Sequence, residues 1–425
     1  MAAVVLSGAM VSCSSSEEES VDLGEAKTVV SMLSEAQPIQ LTEAQMQFAN
    51  DNNKFTLNFL KTVNEVDQSG KSFIFSPLSI TYVLGMVNDA ATGETEKELE
   101  QTLGFHEGGI QAVNDYCKKL IDGLPKVDEK VTLNIANAIF VNKNYTLKTQ
   151  FQKDTQTYYD AMAESLDFSS PQTLEHINGW CKEKTNDMIP TILDEVDPSM
   201  VSYLLNAIYF KADWASKFDK NNTNEEVFTI EKGKTKLPLM HQNVLIQYVK
   251  NGLYSAVKIP YGNGMWNMTV LLPEKGKTTD DIIDELARNG FASVEESVFS
   301  PYEVDLKLPR FETESDTDEL DIDNGLIGLM QKMGINRAFI DGLAEIPNMC
   351  EVPVYIDMMR QKAKIKVNEE GSEAAAVTVA GVNFKASSGP IEYPKATFHA
   401  NRPFVYVIRE ATSGVILFVG KFTGQ

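Results

Sequence analysis

One large α+β domain is predicted, because helical patterns crowd the first half of the chain and strand patterns the second. The 425 residues are 43% hydrophobic and 23% charged, an ordinary globular composition with ample length for a large core. No Gly/Ser/Pro-rich linker follows residue 40 or so, and no internal repeat is present. A single unit over residues 41–425 is therefore the economical reading.

The elements follow in order. Thr42-Glu43-Ala44-Gln45 offers a capping box, and beyond it Phe55, Phe59, Val63 and Val66 share one helical face. Residues 79–86 continue as a buried helix, and 94–103 form a charged helix that Gly104 ends. Apolar, β-compatible runs at 134–140 and 203–210 predict strands, with a helix around 174–187 between them that turns Ile177 and Trp180 inward. Further strands are expected at 254–260, 266–272, 304–308, 404–408 and 415–421. The acidic run 312–323 is expected to be a solvated face or loop. Gly262-x-Gly264 lacks the strand–helix context of a nucleotide fingerprint and is expected to be a turn.

The formal net charge is −22, with no long Lys/Arg run, so a basic footprint for nucleic acid or an anionic membrane is missing. Ala2 to Val11 is apolar, small-residue-rich and too short to span a bilayer. Residues 1–12 are expected to be an export signal, one without a leading Lys or Arg, as a truncated or misplaced start would leave it. Met10-Val11-Ser12-Cys13 looks like a bacterial lipoprotein cleavage site, with Cys13 the lipidated residue. The Ser/Glu run after it resembles the surface-export tag of Bacteroidetes lipoproteins. Residues 13–40 are expected to be the anchor and a flexible acidic tether. Cys117, Cys181 and Cys350 then remain, an odd number without metal-clip spacing, and are expected to be buried free thiols. His106, His176, His241 and His399 are far apart in sequence and without acidic or Cys neighbours at ligand spacing. No metal and no cofactor is expected. No Gly-x-Ser-x-Gly, His-Glu-x-x-His or other nucleophile-plus-base motif supports an enzyme.

The most informative segment lies near the C-terminus. From Glu369-Glu370-Gly371 onward, a strand would carry Ser372, Ala374, Ala376, Thr378 and Ala380 on one face and Glu373, Ala375, Val377 and Val379 on the other. The first face is small and neutral throughout, as a segment must be if it is to slide between two strands and bury that face.

This segment resembles the hinge of the serpins, protease inhibitors whose cleaved loop inserts into their own sheet. Other stretches resemble the same family in order: Phe75-Ser76-Pro77-Leu78-Ser79-Ile80, Asn134 to Phe140, Asn206 to Trp214, Phe398 to Phe404, and Gly414 to Gly420. The resemblance implies a helix-rich N-terminal part, a large central sheet, further sheets and an exposed reactive-centre loop at about 369–394. It also implies a monomer that traps serine proteases as acyl-enzymes; the N-terminal reading around Cys13 adds the expectation of a bacterial surface lipoprotein outside the cell. The hinge would comprise Glu369, Glu370, Gly371, Ser372, Glu373, Ala374, Ala375 and Ala376. Counting sixteen positions from Glu369, as in the family, puts the scissile bond at Lys385–Ala386, which favours trypsin-like enzymes; Phe384 and Val382 stay open as alternatives for other serine or cysteine proteases. Ser76, Ser79, Asn206, Trp214 and Gln361 would line the region where the sheet opens. Gln361 stands where the family usually has His, and residues 341–346 depart from the family pattern. A non-inhibitory serpin acting as a binding or carrier module is the alternative.

Overall fold

The computed structural model describes residues 37–105, 108–297, 299–372 and 392–425. Its helices are α1 (Glu43–Val66), α2 (Pro77–Ala90), α3 (Gly93–Leu103), α4 (Gly109–Gly123), α5 (Thr149–Tyr159), α6 (Pro171–Lys184), α7 (Thr279–Asn289), α8 (Ala292–Glu296) and α9 (Gly325–Met333). Its strands are β1 (Phe73–Phe75), β2 (Thr132–Asn142), β3 (Met162–Leu166), β4 (Ser202–Asp213), β5 (Asn224–Ile230), β6 (Gly233–Lys250), β7 (Tyr254–Tyr261), β8 (Trp266–Pro273), β9 (Ser300–Pro309), β10 (Phe311–Asp316), β11 (Met359–Val367), β12 (Gly371–Ser372), β13 (Lys395–His399), β14 (Phe404–Glu410) and β15 (Ile416–Phe422).

Among the described residues two sheets form. A six-stranded sheet has the order β10-β11-β12-β4-β2-β3, and a nine-stranded sheet the order β1-β15-β14-β8-β7-β6-β9-β13, with β5 added on β6. The predicted capping box starts α1: Gln45 N donates to Thr42 Oγ1 at 3.2 Å and Thr42 N to Gln45 Oε1 at 3.1 Å. Phe55, Phe59 and Val63 then enter the core, as their spacing requires. Helix α2 is buried on nearly every face because it joins that same core. Gly104 ends α3 at φ +85°, and a Cβ there would meet the Asp51 backbone at 2.8 Å, so glycine serves both the left-handed cap and the close approach to α1.

The six-stranded sheet separates two cores by strand alternation. Ala136, Ala138 and Phe140 of β2 and Tyr203, Leu205 and Ala207 of β4 pack with Ile177, Trp180 and Cys181 of α6. The intervening Ile139, Val141, Leu204 and Ile208 join the main core. The chain is already packed before residue 41: Gln37 N donates to Val127 O at 3.4 Å, and Ile39 is buried. Gly262 and Gly264 lie in the turn between β7 and β8, both at positive φ.

Part of the acidic run departs from expectation. Residues 311–316 are strand β10, paired along β11, and Asp316 is buried. Arg360 grips it with two bonds, Nε to Oδ1 at 2.9 Å and Nη2 to Oδ2 at 2.6 Å, and Lys362 lies 3.3 Å away. Burial pushes the Asp316 carboxyl up, but these partners outweigh it and hold the group below its ordinary value. Sequence proximity of like charges suggested solvent; the cations that offset them come from a strand more than forty residues away. Asp316→Asn should therefore lower the unfolding free energy by about 3 kcal/mol, as expected when one member of a buried pair is removed, measured by denaturant titration.

Candidate functional site

The chain leaves β11, turns through Asn368 to Glu370 and returns as β12. The turn closes with Asn368 N donating to Gly371 O at 2.9 Å, and Asn368 Oδ1 accepting from Glu370 N at 2.9 Å, a use of Asn that its short amide favours. Gly371 sits at φ +155°, and a Cβ there would run into the Ala212 carbonyl. Only glycine fits this approach to β4.

Ser372 is not held outside the sheet, as the sequence pattern suggests for the whole segment from 372 to 380. It pairs with Ala212 of β4 on one side and Val367 of β11 on the other, and is fully buried. A two-residue wedge thus parts the two strands at this end. The direct parallel ladder between β4 and β11 runs only from Leu204↔Met359 to Ile208↔Ala363.

Aromatic and charged groups support the wedge. Ser372 Oγ lies 2.8 Å from Tyr261 Oη, and burial pushes the Tyr261 hydroxyl far above its ordinary value, so it stays neutral. Tyr261 stacks on Trp214, centroids 4.4 Å apart and 10° from parallel, and Trp214 Nε1 donates to Asn368 O at 2.9 Å. Glu369 is buried, accepts from Thr223 Oγ1 at 2.6 Å and pairs with Arg310. Burial pushes its carboxyl up, yet the Arg310 and Thr223 bonds prevail and hold it below its ordinary 4.5. Glu370 takes Lys220 at 2.9 Å and Lys217 at 3.0 Å, which lower its carboxyl as well.

Farther along the seam, four predicted residues come together. Gln361 faces Asn206 across the ladder. Its Nε2 donates to Asn206 Oδ1 at 2.7 Å and to Ser76 O at 2.9 Å, while its Oε1 accepts from Ser76 N at 3.0 Å. Ser76 Oγ donates to Ser79 Oγ at 3.2 Å. Trp214 is not among them; it belongs to the wedge. Sequence reading missed Asn137, which accepts from Asn206 Nδ2 at 2.9 Å, and Thr317, whose Oγ1 takes the Gln361 N–H at 3.0 Å. An inward-facing Asn in the apolar run 134–140 was the available signal. The cluster is buried and neutral, and it fastens β2, β4, β11 and the N-terminus of α2 to one another.

Glu373, Ala374, Ala375, Ala376, Val382, Phe384, Lys385 and Ala386 lie outside the described residues, as do Cys13 and His106. The histidine reading needs correction. The fold brings His241 and His399 onto the two oxygens of Asp305, at 2.8 and 2.9 Å, and His176 within 2.9 Å of Glu164. Even so, among the described residues no group of three His, Cys, Asp or Glu is arranged to hold a metal. Cys117, Cys181 and Cys350 are free and buried. Burial raises all three thiols, Cys181 to about 12 and Cys350 to about 11, which suppresses the nucleophilic thiolate.

A chain built on a parted central sheet with a glycine-hinged segment wedged into it has relatives. A family model described as Serpin (serine protease inhibitor) matches residues 50–424. Serpin B6 of Pongo abelii is 30% identical over 384 residues, covering 88% of this chain and 98% of its own length. Leukocyte elastase inhibitor of Homo sapiens is 30% identical over 397 residues, covering 89% and 99%. Among solved structures, the thermophilic serpin tengpin in its native state superposes with a TM-score of 0.77 at 26% identity, covering 92% of this chain and 98% of its own. The chain belongs to the serpin family.

Because the Glu369 carboxyl is held below 4.5, its contribution to stability is present above that pH and is lost as pH falls through the lowered value. Glu369→Gln should therefore lower the thermal midpoint at neutral pH, and the gap to the wild type should narrow below about pH 4.5. A gap that stays constant across that range would remove Glu369 as its source.

Proposed function

We propose that this serpin is inhibitory, trapping serine proteases as acyl-enzymes by inserting its cleaved loop between β4 and β11. The observation that carries the reading is the register of Ser372. It already occupies the first rung between Ala212 and Val367, so each further loop residue steps one position back along both strands.

Continuing that register pairs every inward loop residue with a suitable site. Ala374 would fall between Phe210 and Ile365, and Ala376 between Ile208 and Ala363, all four of them buried. Six residues on from Ser372 is Thr378; six back from Ala212 and Val367 are Asn206 and Gln361. Thr378 would therefore part the Asn206–Gln361 bond and offer its hydroxyl, both donor and acceptor, to the amides it separates. On the outward face Glu373 would fall between Lys211 and Lys366. Small size, polarity and charge thus agree with insertion at each step.

In this mechanism the protease attacks the loop as it would a substrate and remains esterified to the new C-terminus. Fifteen or so residues at about 3.3 Å each make roughly 50 Å of strand, enough to carry the enzyme across the domain and distort its active site. The driving force is pairing and burial withheld in the starting fold, a stored-strain release for which serpin loop insertion is a known case. Lys385 as the residue before the cut suits a protease with a carboxylate in its specificity pocket, hence a trypsin-like target. We further propose that Cys13 carries a lipid that holds the chain on the outside of a bacterial cell, on the strength of residues 10–19.

Incubation with trypsin should give a covalent complex that survives boiling in denaturing gel electrophoresis. Clean cleavage with trypsin left active would remove trypsin-like enzymes as targets. Ala374→Arg and Glu373→Lys should each shift the outcome from complex toward cleaved product, the first by carrying a charge to the buried position between Phe210 and Ile365 and the second by placing a third cation between Lys211 and Lys366. Unchanged complex yield in both would overturn the register.

A further inference from the structure

The seam between β4 and β11 is parted at one end and fastened by neutral amides in the middle. Its other end is closed differently. Asp357 lies just before β11, and its carboxylate reaches across to the start of β4. Oδ2 accepts from Val201 N at 2.7 Å and Oδ1 accepts from Ser202 N at 3.0 Å, with Ser202 Oγ at 3.5 Å. One residue nearer the ladder, Leu204 N donates to Met358 O at 3.0 Å. The carboxylate thus continues the seam beyond the last strand pairing, Met359↔Leu204. Val201 and Ser202 are buried, so neither N–H has bulk water to turn to if the carboxylate is removed.

Ser202 pairs with Val141 of β2 on its other side, and its N–H points toward β11. A strand entering from Ser372 and running the length of β4 would reach Ser202 last. At that point the Ser202 N–H must change partners, from the Asp357 carboxylate to a carbonyl of the incoming strand. For Ser202 the exchange leaves no donor unpaired, because its N–H keeps one acceptor. It does free the carboxylate. Burial pushes the Asp357 carboxyl above its ordinary value against the pull of the backbone N–H groups, so the closed seam keeps from water a charge that the parted seam returns to it. The clasp is strong in what it satisfies and releasable in what it charges.

We propose that Asp357 is a positioning residue of loop insertion: it bolts the far end of the β4–β11 seam in the intact protein and lets go only when insertion is complete. This rests on the inhibitory reading above. The clasp belongs to the intact state alone, and that separates it from an ordinary stabilising residue, which would support both states equally.

The test compares thermal midpoints of the full chain before and after a single cut in its loop, for the wild type, Asp357→Ala and Asp357→Asn. Asp357→Ala should lower the midpoint of the intact protein and leave that of the cleaved protein unchanged. On incubation without protease it should also lose inhibitory activity several-fold faster. Asp357→Asn keeps one acceptor oxygen and should fall between, which preserves the comparison if the alanine variant folds poorly. Equal losses in intact and cleaved forms, or no loss in the intact form, would overturn the proposal. If the wild type itself gains no stability on cleavage and forms no complex with any of a panel of serine proteases, the inhibitory reading fails instead, and the clasp's role in insertion falls with it.

Discussion

The incomplete pairing of β4 with β11 is the constraint around which the rest of this structure is arranged. Two parallel neighbours in a buried sheet would ordinarily form a continuous ladder, because an unpaired buried N–H or C=O costs about 1–3 kcal/mol. Here the ladder covers Leu204 to Ile208 and gives way to the Gly371–Ser372 wedge at Ala212. The wedge is tolerated because Gly371 presents no Cβ to the Ala212 carbonyl and because Ser372 finds Tyr261. The Trp214–Tyr261 stack, the Asn368 turn and the Glu369 and Glu370 ion pairs then brace the turn that delivers those two residues.

The three zones of the seam differ in chemistry, and each difference has a mechanical meaning. The wedge end is held by packing and by charges outside the strands, so the strands there are already apart. The middle uses neutral amides and hydroxyls, Gln361, Asn206, Asn137, Ser76 and Ser79. Such groups exchange one partner for another without a change of protonation. A glutamine at position 361 keeps both donors and an acceptor in use and places no titratable group at the centre of the sheet. The far end uses a single carboxylate on two backbone donors. A segment entering the seam would meet these in turn, from open to neutral to charged.

Much of the architecture was legible locally. The capping box at Thr42, the glycine stop at Gly104, the alternation in 134–140 and 203–210 and the small neutral face starting at Ser372 are patterns of neighbours a few residues apart, and short-range sterics decide them. The long strand β6 and helices α5 and α9 carry weaker local patterns. Helix α7, by contrast, has its own Thr278–Asp281 capping box with Ile282, Ile283 and Leu286 turned inward. Helix α4 turns Val113, Tyr116, Cys117 and Leu120 to one side. Both are signals that a closer reading of neighbours would find. The acidic run at 312–323 misled because Arg360 and Lys362, which hold Asp316 inside, are invisible to a window around it. His241 and His399, 158 positions apart, meet at Asp305 only because β6, β9 and β13 are adjacent strands.

The sequence by itself determined the family, the α+β class and which residues of the hinge are small enough to enter a sheet. These depend on side-chain size and on the two-residue repeat of a strand, both local quantities. Tertiary structure alone decided that Ser372 already lies in the sheet, that Asn137 and Thr317 complete the amide cluster, and that Asp357 closes the seam's far end. Each of those is a choice of partner across more than forty residues, save the Ser372 pairing with Val367. Such choices are settled by which strands become neighbours and in what register, so they exist only once the chain has folded.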